Sequence, residues 1–73
     1  MMRGWKRLLA KEVLAQLHSG KAFRGVVWER NGDFLVLRAA TLYDPEVPDD
    51  PQPLDGEVMI HRAEVEYYQL IGG

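Results

Sequence analysis

The sequence predicts a mostly β fold, namely a five-stranded, strongly bent antiparallel small barrel with a short N-terminal helix. Three observations support this prediction. Two strand-like apolar runs are joined by Asn31-Gly32, a dipeptide typical of type I′ hairpin turns because both central positions of that turn need φ > 0. Gly25 lies inside the first run, where the missing side chain permits a sharp bend. Several further short strands follow, and together they are enough to close a small barrel.

The first 18 residues are rich in good helix formers, and apolar residues recur at every fourth position from Trp5 to Leu17. The end of this segment also alternates in the manner of a strand. Four strands do not readily close a barrel, whereas a fifth strand there would. We therefore expect a short helix near residues 3–10 and a strand near 12–18, with a continuous helix through 12–18 as the open alternative.

The other four strands are predicted near residues 22–30, 33–42, 57–61 and 64–70. The segment from Tyr43 to Asp55 contains all four prolines and many acids. Proline fixes φ and donates no ladder hydrogen bond, so this segment is predicted to be a solvated acidic loop. Its degree of order stays open.

Composition limits what the protein does. The 73 residues are predicted to form one domain, residues 1–73. The chain has no cysteine and only two histidines, which predicts no disulfide, no metal and no cofactor. It has no long apolar run and no signal-peptide pattern, so no membrane association and a cytoplasmic location are expected.

Charge is distributed unevenly. Residues 1–38 hold eight Lys or Arg against three acids, a net +5, and residues 39–73 hold one Arg against eight acids, a net −7. This asymmetry fits a basic binding face, complementary contacts between copies, or charges that interleave and neutralise in the fold.

The central strands are apolar on both faces, although an antiparallel sheet with one wet face would alternate. The N-terminal helix covers part of the second face, and a neighbouring subunit is the natural cover for the rest. The sequence therefore predicts a homo-oligomer. The predicted interface residues are Trp28, Val36, Met59, Val65, Tyr67 and Tyr68.

Two motifs resemble those of the Sm/LSm family, which includes bacterial Hfq and belongs among the small SH3-like barrels. The first motif reads AQLHSGKAFRGVV over residues 15–27 and continues with Leu-Val-Leu at 35–37. The second reads GEVMIHRAEVEYY over residues 56–68. The resemblance spans residues 12–70 and implies a ring of bent barrels that binds single-stranded RNA.

The chain departs from the family where the resemblance implies a base-binding pocket. An Asp-x-x-x-Asn turn is shortened here to residues 31–34, so that Asn31 falls opposite Phe34, and the Arg-Gly pair of the second motif becomes His61-Arg62. The pocket has thus lost an amide and keeps Phe34, His61 and Arg62. For each of these three, packing or simple solvation is the alternative to base binding. The phosphates of a bound strand are expected to meet Arg3, Lys6, Arg7, Lys11 and Arg62.

Enzymatic activity is not predicted, because the chain has no phosphate-binding glycine loop, no nucleophile elbow and no plausible triad. Two functions stay open. One is a ring that binds single-stranded RNA. The other is a structural or assembly module that acts through protein contacts only. The succession of residues along the strands also resembles that of short phage proteins. For the second function, this resemblance implies virion or assembly partners and a location in a virion.

Overall fold

The computed structural model of the chain describes residues 4–71. It contains a 3-10 helix at Trp5–Leu8, a second 3-10 helix at Arg62–Glu64, and six strands. The strands are β1 (Glu12–Leu17), β2 (Ala22–Asn31), β3 (Phe34–Tyr43), β4 (Gln52–Pro53), β5 (Glu57–His61) and β6 (Val65–Leu70). The predicted fold class is confirmed: a mostly β, strongly bent antiparallel sheet with one short helical turn at its start.

The N-terminal segment is helical for only one turn because β2 captures its backbone. Ala10 N donates to Val27 O at 2.8 Å, Val27 N donates to Lys11 O at 3.0 Å, and Ala10 takes a left-handed φ of 62°. From Glu12 onward the chain is strand β1, with Val13 and Ala15 wholly buried. The prediction of a strand near 12–18 is thereby confirmed, and the helical alternative is wrong.

The hairpin between β2 and β3 turns one residue later than the sequence predicted. Asn31 stays in the ladder opposite Phe34, and the two turn residues are Gly32 and Asp33. Only Gly32, at φ 61°, has a positive φ in this turn. That pattern is typical of a type II′ turn, which takes glycine first, so the predicted type I′ turn at Asn31-Gly32 is wrong.

Gly25 bends β2 as expected, for a reason of space. The β2–β3 register shifts between Arg24 and Val26, and a Cβ on Gly25 would lie 3.0 Å from the carbonyl oxygen of Arg38 and 3.2 Å from the Cα of Ala40. Gly25 does not have a left-handed φ. Glycine suits the bend because β3 passes so close that a side chain at this position would have to displace the β3 backbone by a few tenths of an ångström.

The sheet runs in the order β4-β3-β2-β1-β6, and β5 pairs with the other half of the β3 edge. The two-residue strand β4 was not predicted, since it lies inside the segment assigned as a loop. It contains Pro53 and sits at an edge, where a missing donor is tolerated. Among residues 4–71, β5 pairs only with β3 and β6 only with β1. The sheet thus ends in two free edges.

The core lies inside the bend and is built on the fully buried Val13, Val27, Leu35 and Leu37. Trp5 and Leu8 of the N-terminal helix pack against it. Of the helical segments within residues 4–71, none has the length and apolar character needed to cross a membrane.

Candidate nucleic-acid interface

Three rows of side chains cross the face of β2, β3 and β5 that points away from the core, here called the outer face. Strand register and contacts place these side chains side by side. The rows are Trp28, Arg38 and Glu57, then Glu29, Val36 and Met59, then Asn31, Phe34 and His61. The last row lies beside the β2–β3 turn and contains two of the predicted base-binding residues.

Phe34 and His61 form a T-shaped aromatic pair with ring centroids 5.0 Å apart and an interplanar angle of 90°. Phe34 keeps 37% of its surface exposed, so it is not a core residue. The Nδ1 atom of His61 accepts a hydrogen bond from the backbone N–H of Ala63 at 3.0 Å. In the neutral imidazole the proton therefore sits on Nε2, which is left as a donor.

Asp33 and Arg62 hold the two turns of this site together. The backbone N–H of Arg62 donates to the Asp33 carbonyl at 2.8 Å, and Arg62 Nε donates to Asp33 Oδ1 at 3.1 Å. The terminal guanidinium nitrogens keep N–H groups for a ligand. The structure thus brings Phe34, His61 and Arg62 to one place, with Asp33 as an additional member.

Of the basic residues expected to contact phosphates, Lys6 and Arg7 lie in the N-terminal helix and Lys11 lies immediately before β1. Lys6, Arg7 and Lys11 are exposed, and none of them forms an ion pair within the described part of the chain. The Arg30 guanidinium lies 5.8 Å from the ring centroid of Trp5, which sets this helix beside the turn end of β2. Arg3 lies outside the described residues.

Two other arginines of the sheet are paired with acids. Arg24 pairs with Glu12 at 3.0 Å and Arg38 with Glu57 at 2.7 Å. The hydrogen bond and charge of Glu12, followed by the Tyr43 hydroxyl, raise the pKa of Arg24. Arg24 also borders a shallow groove of about 450 Å³ on the opposite part of the sheet, lined by Leu14, Ala22, Tyr43, Gln69 and Ile71.

The predicted interface residues fall into two groups. Val65, Tyr67 and Tyr68 lie on the free-edge strand β6, and Met59, 50% exposed, lies on the free-edge strand β5. Trp28 lies two strands away from the β5 edge and Val36 one strand away. Trp28 is 48% exposed, whereas Val36 is only 3% exposed and offers a partner almost no surface.

Tyr67 is 49% exposed, and Tyr68 is half-buried against the core. The Tyr68 hydroxyl is buried with no hydrogen-bond partner among residues 4–71, and burial raises the pKa of this phenol.

Sequence reasoning missed Asp33 and Arg38. Alternation along β3 puts Phe34, Val36 and Arg38 on one face, which was the available signal for Arg38. For Asp33 the signal was weaker, because its partner Arg62 is 29 residues away and only the fold joins them.

No protein-family model matches the chain, and no curated protein sequence matches it. Solved structures do match its fold. A heptameric archaeal Sm protein is similar at 16% identity with a TM-score of 0.76, over 92% of this chain and 94% of that one. The Pyrococcus abyssii Sm protein in complex with a uridine heptamer is similar at 24% identity with a TM-score of 0.72, over 90% of each chain.

A chain of the NatC complex bound to CoA also matches, at 11% identity with a TM-score of 0.76, over 97% of this chain and 88% of that one. At these identities the likeness concerns the fold, and the fold is Sm-like.

Proposed function

We propose that this chain is a non-enzymatic Sm-like module that assembles into homo-oligomeric rings and binds single-stranded RNA. The observation that carries the proposal is the contact between Asp33 and Arg62. It joins the β2–β3 turn to the helical turn after β5 and brings an aromatic ring, an imidazole and a guanidinium to one exposed place. Two similar folds agree with it: one is described as a heptamer, and another was solved with a uridine heptamer.

Assembly follows from the two free edges. A strand edge displays unpaired N–H and C=O groups and readily pairs with another chain. In the proposed ring, β5 of one copy pairs with β6 of the next, a head-to-tail contact that closes when the rotation per copy allows it. Met59 and Tyr67, each about half exposed, would be covered there. This contact does not use Trp28 or Val36.

The proposed site binds RNA in two ways, by stacking of a base on an aromatic ring and by hydrogen bonds that the protein donates. Phe34 offers a ring on which a base stacks, and such stacking is worth about 1–3 kcal/mol per base. His61 Nε2 and the free guanidinium nitrogens of Arg62 are donors, so they suit carbonyl oxygens of a base or phosphate oxygens. Lys6, Arg7 and Lys11 supply charge for phosphates farther along the strand, and such contacts weaken steeply with salt.

The first experiment measures mass and binding on the same sample. Light scattering gives the number of copies, and fluorescence anisotropy follows fluorescein-labelled oligouridylate and oligoadenylate at low and moderate salt. We expect a ring mass at both salt concentrations and binding that salt weakens. Phe34→Ala should lower the affinity about tenfold. Val47→Ala, another exposed apolar side chain but on the acidic segment, is the matched control and should change nothing.

A stable monomer would contradict the ring. A ring that binds neither oligonucleotide would overturn the RNA half of the proposal and favour the assembly module. Equal affinities for Phe34→Ala and its control would show that the turns are not the binding site.

A further inference from the structure

We propose that Trp28, supported from behind by Arg38, is a second base-stacking site for the RNA strand that Phe34 binds. This inference rests on the proposed function and adds a specific residue to it. It would make the outer face, and not the turns alone, the surface along which the strand runs.

The first support is the geometry of the Trp28 side chain. The guanidinium carbon of Arg38 lies 3.7 Å from the centre of the indole ring, so the cation covers one face of the ring. The side chain is nevertheless 48% exposed. This exposure is what a ring covered on one face only would show, with the other face available to a planar partner.

The second support is that this arrangement is fixed in advance. Arg38 Nη2 and Nε lie 2.7 and 2.9 Å from the same carboxylate oxygen of Glu57. Glu57 therefore holds Arg38, and Arg38 holds Trp28. The Arg38–Glu57 pair is itself exposed and restricts the indole only in part, and to that extent less conformational entropy is lost when a base stacks on the ring.

The third support is the backbone on both sides of the stack. The β2–β3 register shifts between Val27 and Glu29, which makes Trp28 the extra residue of a bulge. Bulges redirect side chains and are frequent beside functional sites. Ala39, next to Arg38, has a left-handed φ of 53°, a conformation that costs a non-glycine residue free energy. Two backbone irregularities thus flank one pair of side chains.

The fourth support is distance. Phe34 and Arg38 are four residues apart on one face of β3, so their Cα atoms are about 13 Å apart, and the Trp28 ring lies against the Arg38 end of this interval. This length corresponds to about four nucleotides at a stacked rise of 3.4 Å. Between the sites lie Met59, which is 50% exposed and uncharged, and Val36, which is almost wholly buried. Glu29 and Glu57 border the path, so stacking and not phosphate attraction must supply the affinity.

Tryptophan fluorescence tests the inference directly. Trp5→Phe leaves Trp28 as the only tryptophan. We expect an oligouridylate of eight nucleotides to quench its emission, and a diuridylate, too short to bridge both sites, to bind far more weakly than the octanucleotide. Trp28→Ala should lower affinity for the octanucleotide about tenfold and change affinity for the diuridylate much less, because only the octanucleotide bridges the two sites. Trp28→Phe should restore most of that affinity. The salt dependence should be the same in all variants, because no phosphate contact is removed.

The outcomes separate this inference from the proposed function. Phe34-dependent binding without quenching, and with full affinity in Trp28→Ala, would overturn the second site and leave the proposed function standing. Absence of binding to any oligonucleotide would overturn both. A Trp28→Ala protein that light scattering shows to be dissociated would also overturn the second site, because Trp28 would then act at a contact between copies.

Discussion

The substitution Gly25→Ala tests whether the sheet bends because β2 and β3 touch at this point. The added Cβ would lie 3.0 Å from the Arg38 carbonyl oxygen, 3.2 Å from the Ala40 Cα and 3.3 Å from the Ala40 Cβ. Two of these three atoms belong to the β3 backbone, which is held on both sides of this point by the pairs Val26–Arg38 and Arg24–Thr41. It can therefore not move aside as the end of a flexible side chain would.

The expected loss follows from two opposing effects. Overpacking of this kind costs about 1–3 kcal/mol. Replacing glycine by alanine also lowers the conformational entropy of the unfolded chain, which stabilises the folded state by about 0.4–1 kcal/mol. We expect the free energy of unfolding to fall by about 1–2 kcal/mol. A chain of this length has about 4–11 kcal/mol in total, and its melting temperature should fall by roughly 5–15 °C.

Urea denaturation followed by tryptophan fluorescence measures the change. Val47→Ala, a truncation of an exposed side chain on the acidic segment, is the control and should leave the free energy of unfolding within about 0.5 kcal/mol of the parent. Gly25→Ala should also be less harmful in an Ala40→Gly background, where the contact at 3.3 Å is gone, with a coupling of at least about 0.5 kcal/mol. A Gly25→Ala protein as stable as the parent, or no coupling with Ala40→Gly, would refute the reasoning.

Two further predictions concern single groups. Tyr68→Phe removes a buried hydroxyl that lacks a partner, so the free energy of unfolding should rise, by about 1 kcal/mol. Because burial raises the pKa of Tyr68 in the fold above its ordinary 10.0, the native protein should lose stability as pH rises past 10, and Tyr68→Phe should remove that part of the loss; an identical alkaline decline in both proteins would contradict this. Asp33→Asn keeps an acceptor for Arg62 and removes a negative charge beside the proposed RNA site. The melting temperature should stay within a few degrees, since exposed ion pairs contribute about 0–1 kcal/mol. Affinity for oligouridylate should rise severalfold at low salt and lose that gain at high salt, and an unchanged or lower affinity would count against RNA at this site.

Local patterns were enough to predict most of the fold. Alternation at Val13 and Ala15 indicated a strand where helix propensity favoured a helix, and the pairing of Ala10 and Lys11 with Val27 explains why the strand prevailed. The two central residues of the turn were predicted one position too early. An Asn-Gly pair indicates that a hairpin is present, but it does not determine which residues of the two strands pair. The register was decided by Asn31 remaining opposite Phe34.

The candidate site could be predicted only in part. Phe34, His61 and Arg62 came from the resemblance, and the structure puts them together. Val36 shows the limit of reasoning from alternation, because a residue on the outward side of a strand was found 3% exposed. Alternation gives the face on which a side chain lies, whereas burial depends on the size of its neighbours on adjacent strands.

The bend at Gly25 and the left-handed Ala39 have a consequence beyond the single chain. They set the angle between the directions in which the β5 and β6 edges face. In a closed assembly built through both edges, that angle decides how many copies complete the circle. The number of copies in such a ring would then depend on two small residues that lie outside β5 and β6, and a change in curvature there would alter the diameter of the central opening without replacing any residue of those two strands.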